Sequence, residues 1–253
     1  MKVSIITTCY NREKTIRNAI ESVLFQNYPD IEYIVIDGAS QDNSLSVIRE
    51  YSNKINTIIS EPDRNMYEAI NKGIHIASGD IIGLLHSDDS LFANNTISNI
   101  VQKIQQEDCD LIYGNGLYVD FNNTNKIIRN WISGPYSKKN ICNGWLPLHP
   151  TVYTRRKCIQ RLGLYDESFK ISSDTDFLIR YLYTGNLKVS YINDYIVRMR
   201  MGGVSTNLKT QMQKWIEDIK IYQDNQFNPY WALTGKTFSK IPQFITAKFI
   251  HII

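Results

Sequence analysis

The chain has 253 residues, 43% hydrophobic and 21% charged, a make-up that excludes disorder for most of its length and fits one large domain or one domain with an appendage. Its net charge of +3 is too small to point to nucleic acid. No acid follows Asp224, whereas Lys236, Lys240 and Lys248 do, so the residues before those lysines balance to zero.

Four cysteines, Cys9, Cys109, Cys142 and Cys158, form no C-x-x-C pair, which predicts neither a zinc site nor a disulfide framework and fits a reducing compartment. The first apolar run is too short for a signal peptide. No run reaches the ~18 apolar residues of a membrane span, so a cytoplasmic protein is expected.

Residues 2–8 form a short, β-branched run that predicts a buried strand. Ile16, Ile20, Val23 and Leu24 then recur at helical spacing until Asn27-Tyr28-Pro29 breaks the pattern. A second strand, residues 31–37, ends in the turn Asp37-Gly38-Ala39-Ser40 and leads to a helix with Leu45, Val47 and Ile48. A third strand (56–60), a helix marked by Tyr67, Ile70, Ile74 and Ala77, and a fourth strand (81–85) ending in Ser87-Asp88-Asp89-Ser90 follow. Four alternations predict an α/β fold: a Rossmann-like, mostly parallel sheet with helices on both faces. Such sheets bind ligands beyond the carboxyl ends of their strands. Thr8-Cys9-Tyr10-Asn11, Asp37 and Asp88-Asp89 all stand at those ends.

The second half is less regular. Strands are expected at 110–113, 117–120, 126–131 and 151–153, and helices at 155–162, 175–183 and 208–222, with a flexible loop at Gly202-Gly203.

Asp88-Asp89 can hold a hard cation through carboxylate oxygens; equally, an acid before Leu91-Phe92 caps a helix. Asp37 can accept from a base N–H or a ribose hydroxyl, or close an Asx turn. Arg64, in Asp63-Arg64-Asn65, can meet a phosphate or a base, or lie solvated. In Ser172-Ser173-Asp174-Thr175-Asp176 the acids suit a helix N-terminus, and Asp174 can serve as the general base a sugar hydroxyl needs when it attacks. His75 reads as structural, while His86, two residues from Asp88, and His149 can approach the pocket.

Taken in order, several segments resemble glycosyltransferase family 2, with its GT-A fold. They are Ile5-Ile6-Thr7-Thr8-Cys9-Tyr10-Asn11-Arg12, Ile34-Val35-Ile36-Asp37-Gly38-Ala39-Ser40, Asp63-Arg64-Asn65-Met66-Tyr67, Leu85-His86-Ser87-Asp88-Asp89, Gly163-Leu164-Tyr165-Asp166-Glu167, Ser173-Asp174-Thr175-Asp176-Phe177 and Gly202-Gly203-Val204-Ser205. The likeness implies a GT-A domain over residues 1–206, its nucleotide-binding half about 1–115 and its acceptor half about 116–206, followed by a helical, basic amphipathic extension over 207–253. It implies an inverting transfer of sugar from a nucleotide-diphosphate donor to a glycan or lipid-linked acceptor in cell-surface polysaccharide synthesis (O-antigen, capsule or exopolysaccharide). Thr8, Tyr10 and Asp37 would hold base and ribose, Arg64 would lie near base or phosphates, Asp88 would bind Mg2+ or Mn2+, and Asp174 would be the base. His86 stands where the family's metal motif has its first acid, and Ser173 replaces an acid beside Asp174; a histidine there retains metal-ligating capacity. A nucleotide-sugar-binding module without transfer activity is the alternative.

In the tail, Ile241, Phe244, Ile245, Phe249 and Ile252 fit one helical face with lysines nearby. Such a helix can lie in a bilayer interface, here the inner face of the cell membrane, or pack on the core.

Overall fold

A computed structural model of the chain describes residues 1–202 and 208–249. Four strands, β1 (Val3–Cys9), β2 (Ile31–Asp37), β3 (Thr57–Ser60) and β4 (Ile81–Leu84), pair in parallel in the order β3-β2-β1-β4. Beyond β4 the sheet becomes mixed: β8 (Tyr153–Arg155) is antiparallel to β4 and to β6 (Leu111–Val119). β9 (Val189–Arg200) then runs parallel to β6, and β5 (Ser90–Leu91) closes that edge. β7 (Ile127–Trp131) pairs with β6 off the main path.

Strand alternation sorts the apolar side chains to two faces. Ile6, Ile34, Ile36 and Leu84 pack with α3 (Met66–Ile76), α6 (Arg156–Leu162) and α7 (Ser173–Ile179). Val3, Ile5, Tyr33 and Val35 pack with α1 (Ile16–Leu24), α2 (Ser44–Arg49) and α4 (Thr96–Glu107). Because both faces are covered, the parallel strands read as continuous apolar runs rather than alternating ones.

The expected break between residues 113 and 117 does not exist: β6 runs straight through Gly114-Asn115-Gly116. Its glycines serve close approach instead of a turn, since a Cβ at 114 would run into Ile196 and one at 116 into Leu148. Residues 149–151 form a tight helical turn (His149–Thr151), which moves the expected strand to Tyr153–Arg155. Pro150 lacks a ladder donor and suits the first turn of a helix. α7 ends at Ile179 and passes into a wider turn, Arg180–Thr184. α4 and β9 complete the second half; both went unpredicted.

The C-terminal segment folds as α8 (Leu208–Asp224), α5 having appeared earlier as a single turn (Lys138–Ile141), then α9 (Pro229–Phe238) and α10 (Lys240–Thr246). The apolar face expected of the tail is carried from Ile241 to Phe249 by α10 and a tight turn that follows it, Ala247–Phe249, while Pro242, which lacks the N–H and crowds the carbonyl four residues back, separates α10 from α9. Ile221, Tyr222, Phe227 and Ala232 join the same core as α3 and α7. The expectations at Gly203-Val204-Ser205 and at Ile252 lie outside the described residues.

Candidate active site

The registers pair Cys9 with Asp37 and Asp37 with Ser60, so the ends of β1, β2 and β3 lie level. The Asp37 carboxylate is wholly buried. It accepts from Ser40 through N (3.1 Å) and Oγ (2.5 Å), which closes the turn after β2, and from Ser60 Oγ (2.7 Å) at the end of β3. The loops after β1 and β2 lock together: Asn11, in left-handed backbone at φ 52°, donates its N–H to Ser40 Oγ and accepts from Gln41 N. Asn tolerates that backbone because its short amide bonds locally. Tyr10 remains 58% exposed, while Thr8 is buried. A Cβ at Gly38 would stand 3.5 Å from the Tyr10 ring and 3.4 Å from Asp63 Oδ2. An exposed ring, a bare backbone position and a carboxylate together form a shelf suited to a planar heterocycle.

Beyond β4 the chain turns through His86-Ser87-Asp88-Asp89, closed by Asp89 N donating to the His86 carbonyl at 3.0 Å. The two acids differ sharply. Asp88 keeps 18% of its side chain exposed and lies 4.0 Å from Arg12 Nε. Asp89 is 2% exposed; its Oδ1 accepts from Arg200 N at 3.2 Å and its Oδ2 meets no donor among the described residues. Burial first, and then the neighbouring Asp88 charge, push the Asp89 pKa well above the usual carboxylate range. Arg200 Nη1 donates to the Asp88 carbonyl at 2.8 Å, so two guanidiniums flank the one accessible carboxylate.

His86 lies between this cluster and the next. Burial lowers its pKa, against the opposing charges of Asp88 and Asp174. His149, 6.3 Å away ring to ring, shares a 2.7 Å hydrogen bond with Tyr165 Oη, and burial brings its pKa down to about 4. Tyr165 stacks on Phe177 at 4.2 Å and on Tyr67 at 5.9 Å, forming an aromatic wall behind α7.

Asp174 is in the first turn of α7, where an acid is favoured by the helix dipole. Its Oδ1 accepts from Thr175 N at 2.8 Å. Asp176, the other acid of that turn, is bound to Arg180 at 2.8 Å, and Arg180 also holds the carbonyls of Leu162 and Leu164. Asp176 therefore fixes the loop of residues 162–164 through Arg180, while Asp174 has no side-chain partner among the described residues.

The fold thus brings Asp88, His86, His149 and Asp174 together and sets Tyr10 and Asp37 on the adjoining strand ends. Three of the roughly four acceptor sites of Asp37 are filled by Ser40 and Ser60, so a direct bond to a nucleoside would use the remaining one and requires the buried carboxylate to be uncovered. Arg64 is 73% exposed, and its Nε and Nη2 are bound to Glu68 at 3.0 Å and to Glu167, so those acids already offset the charge it would bring to a phosphate. Arg12 and Asp63 were not anticipated in these roles. Arg12 closes the quoted loop and Asp63 adjoins Arg64, so position alone marked both.

A divalent cation fits this donor set in a limited way. Asp88 offers an accessible carboxylate and His86 an imidazole kept uncharged by burial, and no cluster of three ligating side chains exists among the described residues. Mg2+ commonly binds through one or two carboxylates, with substrate phosphates and water completing its shell.

The sequence profile of "Glycosyl transferase family 2" matches residues 4–169. A PGL/p-HBAD biosynthesis glycosyltransferase of Mycobacterium tuberculosis is 26% identical over 216 residues, covering 81% of this chain and 79% of that protein. Among solved structures, S. aureus TarS 1–349 in complex with UDP-GlcNAc superposes with a TM-score of 0.70 at 19% identity, over 87% of this chain. The mannosyltransferase PcManGT from Pyrobaculum calidifontis, in complex with GDP-Man and Mn2+, gives 0.64 at 15% identity, over 97% of this chain and 73% of that one. The chain spans 64% of the length of TarS 1–349 and 39% of the longer TarS chain.

Proposed function

The chain belongs to glycosyl transferase family 2, with the GT-A fold, and from that premise we propose that it moves a sugar from a nucleoside-diphosphate donor to an acceptor hydroxyl with inversion. One arrangement carries the reading: the half-buried His86 of the loop after β4 stands 6.3 Å, ring to ring, from His149, with Asp88 on its own loop and Asp174 on α7 both close enough to oppose the lowering of its pKa. A leaving diphosphate beside Asp88 and an acceptor hydroxyl beside Asp174 would lie on opposite sides of one sugar.

Tyr10 and Thr8 take the nucleoside on the shelf that Asp37 fixes through Ser40 and Ser60. Arg12 and Arg200 set positive charge beside the diphosphate. Asp88, with His86 as second protein ligand, would hold Mg2+ or Mn2+, which supplies positive charge to the departing diphosphate when bound. Asp174 accepts the proton of the acceptor hydroxyl as its oxygen bonds to the anomeric carbon. The bond from that carbon to the phosphate oxygen breaks on the other face, and the diphosphate leaves with the electron pair.

A thermal-shift screen of UDP- and GDP-sugars with Mn2+ tests the donor class. A ligand at 100 times its Kd stabilises by about 2.7 kcal/mol, enough to raise Tm by several degrees. If no nucleotide sugar shifts Tm at millimolar concentration, the donor reading fails.

The acceptor we propose is a glycan or lipid-linked sugar in polysaccharide or glycolipid synthesis, a reading supported by the names of the mycobacterial relatives. It goes with a peripheral seat on the inner face of the cell membrane. No helix among the described residues is long and apolar enough to cross a membrane. Most of the exposed large hydrophobic side chains nevertheless lie in α8–α10 and just after them. Met212, Trp215 and Ile216 form a stripe at helical spacing on α8, and Ile241 and Ile245, 52% and 55% exposed, lie one turn apart on α10. Replacing Ile241 and Ile245 together with Ser should weaken binding to phosphatidylserine vesicles about tenfold or more, since each buried Ile contributes roughly 1.5–3 kcal/mol. Unchanged co-sedimentation of this variant would exclude that surface.

A further inference from the structure

We propose that Glu217, on α8, is a positioning residue for Asp174, and that the C-terminal helices thereby belong to the catalytic machinery. The inference rests on the reading of Asp174 as the base.

Glu217 is a buried carboxylate, 6% exposed, with no lysine or arginine bound to it among the described residues. Its donors are main-chain groups. Oε1 accepts from Lys170 N at 3.0 Å, and Oε2 from Ile171 N and Ser172 N, each at 2.9 Å; Gln213 Nε2 completes the set at 2.9 Å. Burial would raise its pKa, but these donors outweigh it and hold the group below the usual carboxylate range. Three successive N–H groups aimed at one carboxylate form a charged clasp, and hydrogen bonds to an ionised acceptor are roughly twice as strong as neutral ones.

The clasped residues lead straight into α7, and Asp174 is its second residue. Since the Asp174 carboxylate has no side-chain partner among the described residues and accepts only from Thr175 N there, it goes where the backbone of residues 170–173 puts it. That backbone is tied from two sides. On one side stands Glu217. On the other, Tyr67 Oη from α3 donates to the Ile171 carbonyl at 2.6 Å. The next residue of α8 strengthens the same joint: Asp218, 1% exposed, pairs with Lys236 of α9 at 2.9 Å, and Lys236 Nζ reaches Thr175 Oγ1 of α7 at 3.4 Å. Two helices that follow the catalytic domain in sequence therefore grip the first turn of α7.

A base displaced by about 1 Å can lose on the order of a hundredfold in rate, so loosening the clasp should act on turnover before it acts on binding. Glu217→Gln keeps the size of the side chain, removes its charge and turns an NH2 toward a donor. The expected result is a fall in kcat of roughly ten- to a hundredfold, with KM and calorimetric Kd for the nucleotide sugar within about twofold of wild type. The donor is whichever of UDP-GlcNAc and GDP-mannose the wild-type protein turns over with Mn2+. The decisive readout is the double variant: in an Asp174→Asn background, Glu217→Gln should lower the residual rate no further, because the group it positions is gone. Two results would overturn the proposal. One is an unchanged kcat for Glu217→Gln; the other is an equal further loss in the Asp174→Asn background, which would mark general damage to the fold. Should Glu217→Gln fail to fold, Tyr67→Phe, which cuts the opposite tether, is read by the same cycle. If Asp174→Asn alone keeps full activity, the base reading fails, an outcome separate from either of these.

Discussion

Asp174→Asn is expected to lower the transfer rate by about 10²–10⁴-fold, the usual contribution of a general base, while nucleotide-sugar affinity stays within about twofold. The substitution is nearly isosteric, and the amide oxygen can still accept from Thr175 N, so the first turn of α7 should keep its shape. What it removes is the ability to take a proton. Asp176 cannot step in, because its carboxylate is bound to Arg180, which in turn holds the carbonyls of Leu162 and Leu164. Stopped-assay kinetics with calorimetry of donor binding separates the outcomes. A rate retained within tenfold would remove Asp174 from the chemistry. A parallel loss of donor affinity would move it to the donor side of the site.

The first half of this fold is legible in the sequence because its strands are buried on both faces and its helices are amphipathic. Each strand end is then marked by polar residues that have no place in a core. Asp37 and Asp88 can be picked out on that basis, and Asp174 by its place at a helix N-terminus. β9 was harder: the polar pair Asn193-Asp194 interrupts its apolar pattern, and its register with β6 shifts there. α4 carries Ile97, Ile100, Val101 and Ile104 at helical spacing, so its signal was present and simply stood after the motif that drew attention. Gly114 and Gly116 resemble a turn until β9 and the segment at Leu148 are seen pressing against them. The site shows the same limit. Whether an acid faces ligand or backbone depends on neighbours distant in the chain. Ser60 reaches Asp37 from another strand, and Glu217 reaches residues 170–172 from α8.

Asp88 and Asp89, identical and adjacent in sequence, should respond in opposite ways to substitution. Asp88→Ala removes the one accessible carboxylate between Arg12 and Arg200. Metal-dependent donor affinity should fall about a hundredfold or more, because a ligating acid supports several kcal/mol of charge stabilisation. The Mn2+-dependent part of any donor-induced rise in Tm should vanish with it. Asp89→Asn should leave donor affinity close to wild type, since that side chain is closed off from the pocket and bonds the Arg200 main chain. It should also raise Tm at neutral pH. An acid whose folded pKa is raised gives stability that is complete below its unfolded pKa and is lost as pH rises toward the folded value. Asn never ionises, so the variant escapes that loss, and its advantage should shrink as pH falls into the ordinary carboxylate range. Melting curves at neutral and acid pH measure the stability effect, and calorimetry with and without Mn2+ measures the binding. If the Asp89 variant instead lost metal-dependent binding while Asp88→Ala kept it, the two roles would have to be exchanged. The buried Oδ2 of Asp89, which meets no hydrogen-bond donor among the described residues, would then have to turn outward when the nucleotide sugar binds.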